Sequence, residues 1–284
     1  MNIFGTSNWI FTCLFIIVGT IFIANLIFFT VRRFIHFSVL KKHHDFAGFI
    51  VGVFGVLYSV FLGFTIVNSQ QNLNNIVLRV NEEAYLSESI FQSANVFPEK
   101  EKAKIQNKVM SYVKSIVEEE WPLMSKKMEN PYTLIKLEKM WKTFYNFHPQ
   151  TEQEKLWYAQ SVALLLKQSS ARLKRIYSTW ESIGILPWLA LIIGGIVLIL
   201  FLFFFGTENT KTHVIIISLV SSYIAFMLFI VYSFDNPFRN PINVQPKAYQ
   251  IIYNYDTKTK NSTISPEKET LLKSVSLSKN KTEK

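Results

Sequence analysis

The chain has 284 residues, of which 49% are hydrophobic, and a formal net charge of +10. The apolar residues gather in four charge-free blocks, a membrane signature rather than a globular one. The basic excess has no nucleic-acid recognition motif beside it, so it points to lipid headgroups or topology control and away from nucleic acid. One cysteine, Cys13, excludes an internal disulfide and a multi-cysteine metal site.

The first block runs from Trp9 to Val31 and is closed by Arg32 and Arg33. At about 1.5 Å per residue it covers roughly 35 Å, enough for the hydrocarbon core. No Lys or Arg precedes it and no small-residue cleavage site follows, so it reads as a retained span rather than a cleaved signal. His43, His44 and Asp45 come next. Neighbours in sequence do not share a helix face, so these read as interfacial polar residues rather than metal ligands.

The second block runs from Phe46 to Val67 and carries three stripes. Gly48, Gly52, Gly55, Ser59 and Gly63 fall on one helical face, where small residues let another helix approach closely. Phe54, Tyr58 and Phe61 lie on the opposite side and suit lipid. Val56, Val60 and Phe64 recur every four residues beside the small stripe. Periodicity alone leaves two readings of that third stripe open: packing, or the wall of a pore.

Residues 68–182 read as amphipathic helix throughout. Leu73, Ile76, Val80, Ala84, Ser87 and Phe91 alternate three and four apart, so the second span is expected to run on into a long helix. Pro98 opens the next helix, with Ile105, Val109, Tyr112, Val113, Ile116 and Val117 inward, and Pro122 is expected to end it. A third helix carries Leu134, Leu137, Trp141 and Phe144. Thr151 with Glu154 forms a capping box, and the helix it starts is expected to continue through Ala163, Leu166 and Ile176.

The third block is Ile183 to Phe205 and the fourth Val214 to Phe234, again without a charge. Trp9, Trp180 and Trp188 sit near span ends, where indole favours the headgroup layer. Pro187 lies in the first turn of the third span, where its missing N–H costs little. Asp235, Asn236, Pro237 and Phe238 follow as a turn, with Asp235 its cap. Beyond about residue 256 the chain is Lys, Ser, Thr and Asn, a composition of disorder. The fold class expected is therefore all-α. Residues 1–67 carry two spans, 68–182 an inserted helical domain, 183–234 two more spans, and 235–284 the turn and basic tail.

No residue constellation supports an enzyme: there is no phosphate-binding glycine loop, nucleophile elbow or paired metal-ligand motif. No cofactor or metal is expected. Glu118, Glu119 and Glu120 precede Trp121-Pro122 and read as a solvated helix end rather than an acid–base pair. Arg172, Lys174 and Arg175 lie near the third span and are expected to attract anions or anionic headgroups.

Ser59-Val60-Phe61-Leu62-Gly63-Phe64 resembles the pore-lining helix of bestrophins, and Phe234-Asp235-Asn236-Pro237-Phe238 the turn after their last span. Up to about Tyr249 the chain looks like the bestrophin-like family of bacterial membrane proteins. The marks are His44-Asp45-Phe46-Ala47-Gly48-Phe49, Glu119-Glu120-Trp121-Pro122-Leu123-Met124, Arg172 with Arg175, Leu186-Pro187, and Val244-Gln245-Pro246. The resemblance implies a homo-oligomer, pentameric in bestrophins, that sits in a bacterial inner membrane and conducts small anions. Its pore would be lined by the second span, with a hydrophobic neck at Val56, Val60 and Phe64. It also implies that the helical domain and both termini are cytoplasmic. Arg239 stands where bestrophins have Gly, the acidic run that binds calcium in animal members is missing, and polar residues around Gln70 and Asn74 replace expected tryptophans. The competing expectation is a non-conducting receptor or scaffold whose helical domain binds a partner.

Overall fold

The computed structural model describes residues 7–34, 44–204, 209–239 and 241–254, and among them every regular element is helical. His43, the first residue of the histidine motif, and the tail beyond residue 256 lie outside the described residues. Four helices are long and apolar enough to cross a membrane, and they overlap the four charge-free blocks. They are α1 (Ser7–Phe34), the first part of α2 (His44–Ser93), α7 (Ile185–Phe203) and α8 (Thr210–Asp235). Between them lie α3 (Glu99–Ser115), a wide turn over Ile116–Glu120, α4 (Trp121–Met124), α5 (Pro131–Tyr145) and α6 (Glu152–Tyr177). A last helix covers residues 247–254.

The contacts group these elements into two compact units, residues 1–76 with 181–244, and residues 77–180 with 245–284. The dividing position falls inside α2. That helix has 50 residues, so at about 1.5 Å per residue it is far longer than a bilayer crossing needs. No helix-breaking residue interrupts it, and its buried positions Leu73, Ile76, Val80, Ala84, Ser87 and Ile90 keep the helical period.

In the membrane unit, α1, α7 and α8 meet at Ala24, Phe28, Leu202, Phe203 and Ile217. Two polar ties cross between these helices or cap their ends. The Asn25 side-chain amide donates to Ser218 Oγ (2.9 Å), and His213 Nε2 lies 2.8 Å from the Leu202 carbonyl oxygen. A second contact centre gathers Leu62 of α2, Leu191 of α7 and Val231 of α8, with Tyr58, Trp188 and Leu228 around it. Only 11% of the most apolar window of α1, and of α2, is buried within the chain. Lipid or neighbouring copies must cover the remainder.

Tyr58 corrects one expectation. Its ring does not face lipid but sits over Gly194 and Gly195 of α7. A Cβ added at Gly194 would lie 2.7 Å from the ring, and one at Gly195 3.2 Å from the hydroxyl. Phe54, on the same side, has its ring 5.7 Å from that of Phe201. Tyr58 lies against another helix because Gly194 and Gly195 leave α7 a notch with no side chains, whereas Phe54 meets a ring. Conversely, Gly52, Gly55 and Gly63 meet nothing within 4 Å of an added Cβ, so among the described residues no helix packs on these three glycines.

In the second unit, the capping box forms as expected: Thr151 Oγ accepts from the Glu154 N–H (3.1 Å) and the Glu154 carboxylate from the Thr151 N–H (3.4 Å). One other expectation fails. Pro122 does not end the helix. The chain passes through a wider turn over Ile116–Glu120, and the Trp121 N–H donates back to the Ile116 carbonyl. Pro122 falls in the first turn of α4, the helix position where a missing N–H costs least. The helix begun by the capping box does continue through Ala163, Leu166 and Ile176 as α6, with Ala163 and Leu166 on its exposed side. The buried face is Ser161, Leu165, Gln168, Ala171, Arg172, Arg175 and Ile176, largely polar and so invisible to apolar periodicity. On α5, Leu137 and Phe144 are buried and Leu134 is exposed.

The Tyr58 notch has a measurable consequence. In detergent-solubilised single chains, Gly194→Leu must displace an aromatic ring and is expected to cost about 1–3 kcal/mol. Gly52→Leu faces open space and should stay within about 0.5 kcal/mol of wild type. Denaturant unfolding followed by circular dichroism separates the two; equal losses would contradict the packing.

Candidate functional site

The second span reaches its own chain through Tyr58, Leu62, Thr65 and Ser69; the last three are buried. Thr65 and Ser69 satisfy their hydroxyls on the backbone one turn back, Thr65 to Phe61 O and Ser69 to Thr65 O, both at 2.8 Å. With 3.6 residues per turn, Val56, Val60 and Phe64 fall on the far side of the helix from that packed face. They are 61%, 51% and 73% exposed, so among the described residues nothing uses them for core packing. Ser59, between the two stripes, donates to the Val56 carbonyl (2.9 Å) and leaves no hydroxyl seeking a partner across the helix. Gly48 is half-buried at the start of the same helix.

Arg172 and Arg175 stand elsewhere than expected. Both are in the core of the second unit, 1% and 0% exposed. Arg175 forms a two-pronged pair with Glu83, Nε to Oε2 at 2.6 Å and Nη2 to Oε1 at 3.3 Å, and its Nη2 also reaches Glu120 Oε2 at 2.7 Å. Arg172 Nη2 lies 2.6 Å from Glu120 Oε1 and 3.0 Å from Glu129 Oε1. The Tyr112 hydroxyl donates to Glu83 Oε1 at 2.6 Å. Charges therefore alternate through the protein, Glu129, Arg172, Glu120, Arg175, Glu83. The Arg175 guanidinium also lies 5.7 Å from the Trp121 ring centre, a cation–π distance. Tyr249, fully buried, packs edge-on against Trp121 at 6.1 Å.

Desolvation opposes the charge on Arg175, but Glu83 and Glu120 more than offset it and hold the guanidinium well above its ordinary value. Burial, then the Glu83 carboxylate, pushes the Tyr112 phenol well above the usual tyrosine range. Both arginines are thus permanently charged and already neutralised. They cannot serve as an anion-attracting surface; of the expected trio, only Lys174 is exposed. The Glu118–Glu120 reading changes as well. Glu118 pairs at the surface with Lys114 (3.8 Å), but Glu120 is wholly buried. Glu83 was missed in the sequence although a signal existed: it lies three residues after Val80 and four before Ser87, on the apolar stripe of α2.

Asp235 also acts differently from a cap of its own turn. Its carboxylate accepts from Ser182 Oγ (2.9 Å), the Ile183 N–H (2.8 Å) and Trp188 Nε1 (3.1 Å). It therefore ties the end of α8 to the start of α7. The turn is held by backbone bonds, Arg239 N–H to the Asn236 carbonyl (3.0 Å) and Val244 N–H to the Pro237 carbonyl (2.8 Å), with Pro237 and Phe238 buried. Among the described residues, no three His, Cys, Asp or Glu side chains gather as a metal site would require.

The Bestrophin-like domain matches residues 18–249. The chain belongs to the Bestrophin-like family. The matched segment takes in most of the first span and all of the other three, and it ends on Tyr249, which packs against the buried charge network. With the four apolar helices, membership makes this a multi-pass membrane protein. No curated protein and no solved structure matches the chain.

The buried network of this Bestrophin-like domain should be costly to break and cheaper to remove whole. Glu83→Ala strands Arg175 with one partner fewer and is expected to lose about 3–5 kcal/mol. Glu83→Leu with Arg175→Met should lose less than the sum of the two single changes. Urea unfolding of the four proteins in detergent gives the comparison, and strict additivity would show that the pair is not coupled.

Proposed function

We propose that this chain is one subunit of a homo-oligomeric channel, pentameric as in bestrophins, that conducts small anions across a bacterial inner membrane. The second span lines the pore in this reading, with Val56, Val60 and Phe64 as its narrow part. The observation that carries it is the exposure of those three residues on the face of α2 opposite its intrachain packing. A span that packs on one face and presents an ordered apolar stripe on the other suits a ring of copies around an axis. The open small stripe, Gly52, Gly55, Ser59 and Gly63, suits the close approach of the neighbouring copy.

Such a constriction is dry-walled, so an ion sheds part of its water in passing. Aromatic edges are positive, and a ring of Phe64 side chains offers an anion partial compensation. Arg172 and Arg175 supply none, because Glu83 and Glu120 consume their charge. Selectivity in this reading rests on the pore wall, with the overall charge of +10 acting at longer range.

Planar-bilayer recording of purified protein tests the proposal. Val60→Ala with Phe64→Ala should widen the path and raise chloride conductance while the assembly stays intact. If the stripe is packing instead, the same changes leave cavities worth about 1–5 kcal/mol, the assembly weakens and no current grows. That outcome, or a dimer with packed second spans, would favour a receptor or scaffold. A second expectation concerns calcium. A tight site takes six to eight oxygen ligands, as an order of magnitude, and the turn offers the Asp235 carboxylate, already accepting three hydrogen bonds. Conductance should be the same with and without micromolar calcium; reproducible activation would mean that ligands come from elsewhere in the assembly.

A further inference from the structure

A groove of about 290 Å³ lies in the membrane unit between α1, α7 and α8. One end is marked by Trp188 and Tyr232, the other by Ile199, and Ile16 and Thr20 of α1 form one side. Its lining has no charge, and its one aliphatic hydroxyl is spoken for: Thr20 Oγ donates to the Ile16 carbonyl (2.8 Å). The groove is therefore dry, and a polar or charged ligand would lose its hydration without replacement.

Its length and ends identify an occupant. From Trp188 to Ile199 the helix rises roughly 16 Å, about half of a hydrocarbon core of about 30 Å. The groove thus covers the depth of one leaflet. The packing that closes it, Ala24, Phe28, Leu202 and Phe203, lies beyond Ile199 towards the far end of α7. At the shallow end, the Trp188 indole donates to Asp235 (3.1 Å) and Tyr232 is 38% exposed. Indole and phenol there occupy the usual headgroup level. Ala225 (2% exposed) and Gly195 keep the floor low, whereas Ile192 and Ile196, 45% and 51% exposed, stand as walls.

We infer that this groove holds one acyl chain of a membrane lipid from the leaflet on the Trp188 side. Leaving bulk lipid for the groove brings no hydrophobic gain, since both are apolar. Retention comes from dispersion contacts along a fitted wall and from a floor that Gly195 and Ala225 lower at its middle. The inference does not depend on ion conduction.

The test uses the full chain reconstituted in vesicles of phosphatidylethanolamine and phosphatidylglycerol. A phosphatidylethanolamine carrying a diazirine midway along one acyl chain is added as the probe. After photolysis, labelled peptides should concentrate several-fold on residues 192–199 and 224–229 relative to residues 11–15, whose exposed Phe11, Leu14 and Phe15 lie outside the groove. Ala225→Phe raises the floor and Ile196→Trp narrows the mouth. Each should cut groove labelling several-fold while labelling of residues 11–15, the internal control for folding, stays constant. Even labelling of all outward faces would reduce the chain to general solvent and overturn the inference. So would disulfide-linked dimers through Ile196→Cys in a Cys13→Ala background, which would show a second copy seated there.

Discussion

The second unit depends on Arg175. Its guanidinium is wholly buried and touches Glu83 on α2 and Glu120 in the turn after α3, and it lies over Trp121, against which Tyr249 packs. A buried charge is tolerated when counter-charges and hydrogen bonds offset its desolvation. The alternating line of Glu129, Arg172, Glu120, Arg175 and Glu83 supplies those counter-charges, although the buried Arg172 Nε has no hydrogen-bond partner, and it does so only if α2, α6 and the turn hold one relative position. The network is therefore better understood as a device for specifying an arrangement than as a reservoir of stability.

The turn after α3 shows what that arrangement requires. Over Ile116–Glu120 the chain makes one wider turn, closed by the Trp121 N–H on the Ile116 carbonyl. Pro122 follows in the first turn of α4, and Glu120 faces inward, where one oxygen meets each arginine. The hydroxyl of Tyr112, on the preceding helix, then closes the far end of the chain of charges on Glu83.

The membrane unit follows a different logic. Its helices have no hydrophobic drive to associate inside lipid, so shape and sparse polar ties decide their contacts. Tyr58 in the Gly194–Gly195 notch fixes which side of α2 faces α7. Asp235, holding Ser182, Ile183 and Trp188, fixes where α8 ends relative to the start of α7. With α2 oriented by the notch, Val56, Val60 and Phe64 point away from the chain. The proposed pore face is thus a consequence of a contact made on the opposite side of the same helix.

The sequence by itself determined what depends on near neighbours. Four spans follow from uninterrupted apolar length, the extension of α2 from its repeating buried positions, and the start of α6 from Thr151 and Glu154, three residues apart. Each is a sum over local terms, so a window of the chain contains the answer. The tertiary structure decided the rest. Glu83 and Arg175 are 92 residues apart, and a charge scored by its own neighbourhood reads as solvated; only the folded chain brings its counter-charge. For the same reason apolar periodicity marks the extent of α6 but not its buried face, which holds Ser161, Gln168, Arg172 and Arg175. It places Tyr58 against lipid, because the notch that receives it lies in another span. Periodicity records which residues share a face. What that face meets, and whether a charge there is free or already matched, is a property of the partners and belongs to the fold.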